Sequence, residues 1–139
     1  MRRDALIGLL LPFALMCSPN ALASSPDDEG AREAALQWLQ VVDSGKFEDA
    51  TLQMSQEVRP LRDWPNYFAA HRAPLGRANK RQVAEIKRAS TIPGVPGARN
   101  YKIIRFKTSF EHQPAATEEI TMVKMGCCWE VAGYKIGGR

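Results

Sequence analysis

His71-Arg72-Ala73-Pro74-Leu75-Gly76-Arg77 divides the chain into halves with different hydrophobic periods. Upstream, apolar residues recur every three or four positions, the spacing of a helix face turned toward a core. Downstream they alternate, the spacing of half-buried strands. Pro74 removes a backbone donor and Gly76 opens conformations closed to other residues, so a helix stops here. The stretch reads as a hinge between a helical layer and a meander of strands.

On the upstream side, residues 24–28 read as a short, flexible polar leader. Ser25 or Asp27 can cap the helix that follows, and Asp28 and Glu29 suit its positive end. That helix runs to about Ser44, with Ala31, Ala34, Ala35, Trp38, Leu39, Val41 and Val42 as its stripe and Gly45 as its stop. A second, short helix starts near Phe47 and ends before Pro60. Asp63-Trp64-Pro65 opens a third, with Pro65 in the first turn, where its missing N–H costs little. Trp64, Tyr67, Phe68 and His71 share one side of it.

Downstream, residues 81–89 read as an edge strand and residues 91–97 as a turn-rich connection. Residues 101–110 alternate well. Ile104, Phe106 and Phe110 point one way; Arg105, Lys107 and Ser109 point the other. Residues 111–114 make a hairpin, residues 117–125 the next strand, Gly126-Cys127-Cys128 a turn, residues 129–136 the last strand and residues 137–139 a loose end. Helices first and an antiparallel meander last give an α+β domain, with the helices on one face of a curved four-stranded sheet. Trp38, Leu39, Val42, Phe47, Phe68, Ile104, Phe106, Phe110, Ile120 and Trp129 supply the expected core. One domain over residues 29–136 fits the chain length.

The first 23 residues read as an export signal. Arg2 and Arg3 form a positive start marred by Asp4. Residues 5–16 are apolar, interrupted by Pro12 and far short of the ~20 residues of a spanning helix. Ala21-Leu22-Ala23 is a small-x-small pattern that puts the cut between Ala23 and Ser24. An uncleaved anchor competes with this reading, as does a lipid-modified Cys17, although Met16 is large for the position before such a cysteine. Export gives a periplasmic or secreted protein in an oxidising compartment, with no membrane span after cleavage. Cys127 and Cys128 are then the remaining thiols. Adjacent trans-linked Cα atoms lie 3.8 Å apart, closer than disulfides normally take. Two free thiols in a tight turn is the reading adopted; an intermolecular disulfide or a strained vicinal pair stays open.

Charge is uneven. Acidic residues crowd the first half, while Arg72, Arg77, Lys80, Arg81, Lys87, Arg88, Arg99, Lys102, Arg105 and Lys107 crowd the middle, within a net charge of +4. On an outward sheet face these cations keep it wet; the competing reading is attraction of an anionic partner. An exported protein points away from nucleic acid and toward a small molecule or an envelope protein.

Several of these stretches together resemble the family catalogued as domain of unknown function 4019. They are Trp38-Leu39-Gln40-Val41-Val42-Asp43-Ser44-Gly45-Lys46-Phe47, Arg72-Ala73-Pro74-Leu75-Gly76 and the Pro93-Gly94-Val95-Pro96-Gly97 turn leading to Tyr101. Thr108-Ser109-Phe110, Glu118-Glu119-Ile120-Thr121 and Trp129-Glu130-Val131-Ala132-Gly133-Tyr134 complete the set. The resemblance implies an exported bacterial domain whose helices wrap a curved sheet, like the nuclear-transport-factor-2 and cystatin groups. It implies no activity. Gly126-Cys127-Cys128 stands where an acidic residue and glycine are more typical, and Pro60 and Pro65 interrupt the region before Arg72.

The chemistry-bearing residues do not form a catalytic, metal or cofactor motif. Gly94-Val95-Pro96-Gly97 precedes a strand rather than the helix N-terminus a phosphate loop needs. There is no Gly-x-Ser-x-Gly setting and no Cys-x-x-Cys. Arg72, Arg81 and Tyr101 are candidates to line the open end of a cone and hold a small anion. Tyr134 offers a phenolic hydrogen bond, and His71 sits beside them. The competing reading of Arg72 is an ion pair with Glu118 or Glu119 that fixes helix to sheet. These features point to a non-catalytic binding or protein-interaction module, with a possible homodimer. The alternative is a small enzyme, a proton-transferring isomerase or hydrolase, with His71 as base and Asp63 or Glu118 to orient it.

Overall fold

The computed structural model describes residues 25–138, so the export segment and its cleavage point lie outside the described residues. Helix α1 spans Pro26–Asp43, α2 Phe47–Leu52 and α3 Trp64–His71. Strands β1 (Ala78–Ala89), β2 (Tyr101–Phe110), β3 (Gln113–Met125) and β4 (Cys128–Gly138) follow. They form one antiparallel sheet in the order β1-β2-β3-β4. The architecture is the expected α+β arrangement of helices against a curved, unclosed sheet. Among the described residues no helix is long and apolar enough to cross a membrane.

α1 starts earlier than expected. The Ser25 hydroxyl accepts from the Asp28 N–H, Pro26 occupies the first turn, and residues 26–28 are helix rather than flexible leader. The reason is electrostatic. Lys102 Nζ, on β2, lies 2.5 Å from Asp28, and Lys124 Nζ, on β3, lies 2.7 Å from Asp27, which pins the first turn to the sheet. At the other end Gly45, at φ +75°, closes α1 as the sequence implies. Ala31, Ala35, Trp38, Leu39 and Val42 are its buried stripe. The small alanines let the helix lie close to its neighbours while Trp38 reaches further, donating its indole N–H to the Ala50 carbonyl of α2 at 2.8 Å.

The core centres on Phe68 of α3, which is fully buried. Trp38, Phe47, Trp64 and Tyr134 surround it with ring centroids 5.6–6.0 Å away, the spacing of favourable aromatic pairs. Eight of the ten expected core residues are buried; Phe47 and Trp129 are half-buried and packed against the rest. β2 keeps the expected parity, with Ile104, Phe106 and Phe110 inward. At its first residues both parities are buried, Tyr101 as well as Lys102, and opposite them Val123 as well as Met122. Both faces of the sheet are covered at that end. Val95, from the connection before β2, and Val58 belong to the same buried cluster.

Three boundaries differ from the sequence reading. β1 begins at Ala78, directly after the hinge, and is an edge as expected. β3 begins at Gln113, so the β2–β3 turn shrinks to Glu111-His112. Gly137 and Gly138 pair with Thr117 and Ala116 as part of β4 instead of trailing loose. The hinge itself is fixed by that β2–β3 turn: His112 N–H donates to the Leu75 carbonyl and Glu111 N–H to the Arg77 carbonyl, each at 2.9 Å. Cys127 and Cys128 are joined to each other by a disulfide, which corrects the expectation of free thiols. Both lie at the exposed β3–β4 tip.

Candidate functional site

Inward parity places Thr108 of β2 and Glu118 of β3 on the helix side of the sheet, beside Phe106 and Ile120. Glu118 is fully buried. A carboxylate there demands donors, and it has four bonds. Arg81 Nε reaches one oxygen at 2.7 Å and Thr108 Oγ1 the same oxygen at 2.6 Å; Tyr134 OH reaches the other at 2.7 Å and Arg81 Nη2 at 3.2 Å. Arg81 turns its remaining edge to Asp43 at the end of α1, at 2.9 and 3.1 Å. Arg72, the residue that ends α3, donates to the same Asp43 at 3.0 Å and to the Gly76 carbonyl at 2.7 Å. Its guanidinium carbon stands 4.4 Å from the Phe110 ring centre, a cation–π contact. Two arginines and two carboxylates thus tie α1, the hinge, β1 and β3 together.

The cluster's electrostatics follow from this geometry. Burial acts against the Arg81 charge, but its hydrogen bonds to Asp43 and Glu118 outweigh that and hold its proton more firmly than usual. Burial first, and then the neighbouring Glu118 charge, push the Tyr134 hydroxyl well above its ordinary value of 10.0. Tyr134 therefore stays a neutral donor to Glu118. A carboxylate holding four hydrogen bonds and an arginine bonded along both edges are saturated, and saturated groups clamp rather than bind.

The five residues singled out from sequence separate. Arg72, Arg81 and Tyr134 converge on this cluster. The partner expected for Arg72, Glu118 or Glu119, is instead Asp43; Glu118 belongs to Arg81 because β1 carries Arg81 on the inward face, opposite Thr108. Tyr101 lies at the far end of β2, 1% exposed, with its hydroxyl buried and unpartnered rather than lining an open mouth. His71 is exposed on α3 against Tyr67, with ring centres 4.6 Å apart. Neither carboxylate proposed to orient it does so: Asp63 caps α3 and Glu118 is engaged as described. Beside the clamp is a small open pocket of about 390 Å³ that includes Asp43, Arg72 and Arg77.

A larger depression lies on the opposite, outward face of the sheet. Cross-strand pairing sets Glu85, Arg105, Glu119 and Lys135 in one row of alternating sign, and Arg105 bonds both glutamates. The next row outward is Gln82, Lys107, Thr117 and Gly137, which carries no acid. Lys80 and Ser109 pair beyond it. These rows floor a groove of about 800 Å³ whose β4 side is formed by Gly137 and Gly138. Lys80 and Lys107 form no salt bridge among the described residues. The sequence reading placed Arg72 and Arg81 at the open end of the cone and gave the basic residues of the outward face a competing role in attracting an anionic partner. The parity legible in β2, which turns Lys107 and Ser109 away from Ile104 and Phe106, extends to β3: odd positions point outward and even ones inward.

No curated protein and no solved structure matches the chain. A family model does match, over residues 34–134, from the middle of α1 to Tyr134. That span includes the whole Asp43–Arg72–Arg81–Glu118–Tyr134 clamp, and over it the chain belongs to the family described as Protein of unknown function (DUF4019).

Proposed function

We propose that this is an exported, non-catalytic binding module, and that it engages the acidic segment of an envelope protein through the outward groove of its sheet. One observation carries the reading. Arg81 is bonded along both edges by Asp43 and Glu118 and Arg72 is paired with Asp43, whereas Lys80 and Lys107 stand without acidic partners over a groove of about 800 Å³. Around the two ammonium groups are the Ser109 and Thr117 hydroxyls and the Gln82 amide, and Gly137 leaves the β4 side of the groove open to an extended chain. Such a surface offers donors and positive charge to carboxylates, which complements an acidic peptide. The export segment, cut between Ala23 and Ser24, would deliver the domain to that compartment. Helices over one face of an unclosed four-stranded sheet support kinship with the nuclear-transport-factor-2 and cystatin groups.

The test is binding of a labelled serine–aspartate peptide, followed by fluorescence anisotropy, with a serine–asparagine peptide of the same length beside it. The acidic peptide binds and the neutral one does not. Added salt weakens the binding, and the double variant Lys80→Glu, Lys107→Glu weakens it about tenfold or more. Equal binding of the two peptides, or an unchanged affinity in the double variant, overturns the reading.

A further inference from the structure

The two edges of the sheet differ. At β4 the margin is partly covered. The Ser55 N–H donates to the Val131 carbonyl at 2.8 Å, Met54 forms a parallel bridge with Val131, and the Tyr67 hydroxyl accepts the Ile136 N–H at 3.3 Å. β1, 12 residues long, pairs with β2 alone. Among the described residues no segment other than β2 bonds to its backbone; the nearest such bonds are at the Arg77 and Ser90 carbonyls, just beyond its two ends. A strand left so presents unpaired N–H and C=O groups, a template for one more strand.

The side chains of β1 define what that strand carries. Lys80 and Gln82 turn outward and form one margin of the groove. On the helix side, the row Val83–Phe106–Glu118–Ile136 crosses the sheet. Phe106 is 1% exposed, but Val83, at the open end of the row, is 38% exposed. Ile86, the next residue inward on β1, is half-buried. An apolar residue set beside Val83 covers it as its cross-strand neighbour does on the other side. β1 carries four cations, Lys80, Arg81, Lys87 and Arg88, against the single acid Glu85. A second copy of β1 therefore meets like charge, whereas an acidic strand meets the opposite one. Register shifts after Ala78 and after Val83 bend the edge, which suits a short added strand better than a long flat one.

Resting on the reading of the groove as the seat of an acidic segment, we propose that this segment binds as a fifth strand along β1, with acidic and apolar residues in alternation. Its acids point outward to Lys80 and Lys107, and its apolar residues point inward over Val83 and Ile86. Main-chain hydrogen bonds hold the segment, and the alternation fixes its register. Neighbouring strands lie about 4.8 Å apart, so an outward residue of the added strand stands about 10 Å from the Lys107 backbone, within the joint reach of a glutamate and a lysine side chain.

The experiment follows backbone amide exchange of the mature chain, residue by residue, by heteronuclear NMR. The probe is a blocked peptide of alternating glutamate and valine, about eight residues long, an ordinary strand length. It slows exchange at alternate amides of β1 by about tenfold or more and leaves β4 unchanged. A peptide of the same composition, with its glutamates in one block and its valines in another, binds more weakly and gives no such alternation. Val83→Ser weakens the alternating peptide about threefold or more, through the apolar contact it removes. Circular dichroism of that variant matches the parent. Tight binding of the alternating peptide with β1 exchange unchanged overturns the fifth strand and leaves the acidic-segment reading standing. Equal affinity for the two peptides overturns it as well. Protection of β1 that survives at parent affinity in the double variant Lys80→Glu, Lys107→Glu supports the fifth strand and overturns the acidic-segment reading. Failure of both peptides to bind overturns both.

Discussion

Glu118 is the residue on which the interior depends. Its carboxylate is fully buried, paired with the Arg81 charge and hydrogen-bonded by the Thr108 and Tyr134 hydroxyls. Glu118→Gln turns an amide N–H₂ toward a donor and strips Arg81 of a buried countercharge, so it costs about 3 kcal/mol, read as a lower urea midpoint. Tyr134→Phe leaves one Glu118 oxygen short of a donor and costs about 1–3 kcal/mol at neutral pH. Its pH signature identifies it. The folded hydroxyl titrates well above 10.0 and the unfolded one near it. The parent therefore holds this contribution below pH 10 and loses stability as pH rises beyond, because only the unfolded chain gains by ionising. The phenylalanine variant falls less steeply over that range. Tyr101 gives the opposite sign. Its buried hydroxyl has no partner, so Tyr101→Phe removes an uncompensated desolvation and raises stability by about 1 kcal/mol. A lower thermal midpoint in that variant would show that the hydroxyl is satisfied in solution.

At the scale of elements, the hinge decides how helices meet sheet. Arg72 ends α3, the Gly76 carbonyl accepts from it, and the β2–β3 turn packs against the same residues. Gly76 sits at φ +76° and ψ −156°, a region that is essentially glycine's alone. A Cβ there would come within 2.9 Å of the His112 ring and 3.0 Å of Glu111 Cβ. Gly76→Ala thus costs about 1–3 kcal/mol from the backbone alone, with the turn contact in addition, and thermal denaturation measures it. The hinge was legible in sequence because proline and glycine act locally. The ion-pair partners were not, because they follow from how α1 packs on the hinge and, for Arg81 and Glu118, from strand register. Arg72 and Asp43 are 29 residues apart and Arg81 and Glu118 are 37 apart. Strand pairing decides that Arg81 meets Thr108 and Glu118, whereas the outward turn of Lys107 follows from the alternation within β2. Even so, Thr108 and Glu118 fall on the inward parity of strands whose other inward residues are apolar, and a polar residue in such a row marks a buried network.

For the molecule as a whole, the first turn of α1 decides where the domain begins. The sequence placed the boundary at Glu29, taking residues 24–28 as a polar leader, because short polar runs carry no hydrophobic period. The structure makes residues 26–28 the first turn of α1, tied by ion pairs to β2 and β3. Lys102 is 3% exposed and its carboxylate partner is Asp28; Lys124 pairs with Asp27. Those lysines lower both aspartate pKa values, chiefly by hydrogen bonding. The stability they contribute is present above the ordinary value of 3.8 and fades as pH falls through the lowered one. Two truncations separate the boundaries. A chain starting at Ser24, the expected product of export, keeps the Ser25 cap and both ion pairs, and its urea midpoint equals that of a chain extended by a few residues. A chain starting at Glu29 loses the cap, worth about 1 kcal/mol. It also leaves the Lys102 ammonium without its carboxylate, at about 3 kcal/mol, the low end for a buried charge because removing the turn admits water. The shorter chain still folds at neutral pH but unfolds at clearly lower urea, and the gap between the two narrows below pH 4 as the aspartates of the longer chain protonate. A Glu29 chain as stable as the Ser24 chain would place the boundary where the hydrophobic pattern alone put it.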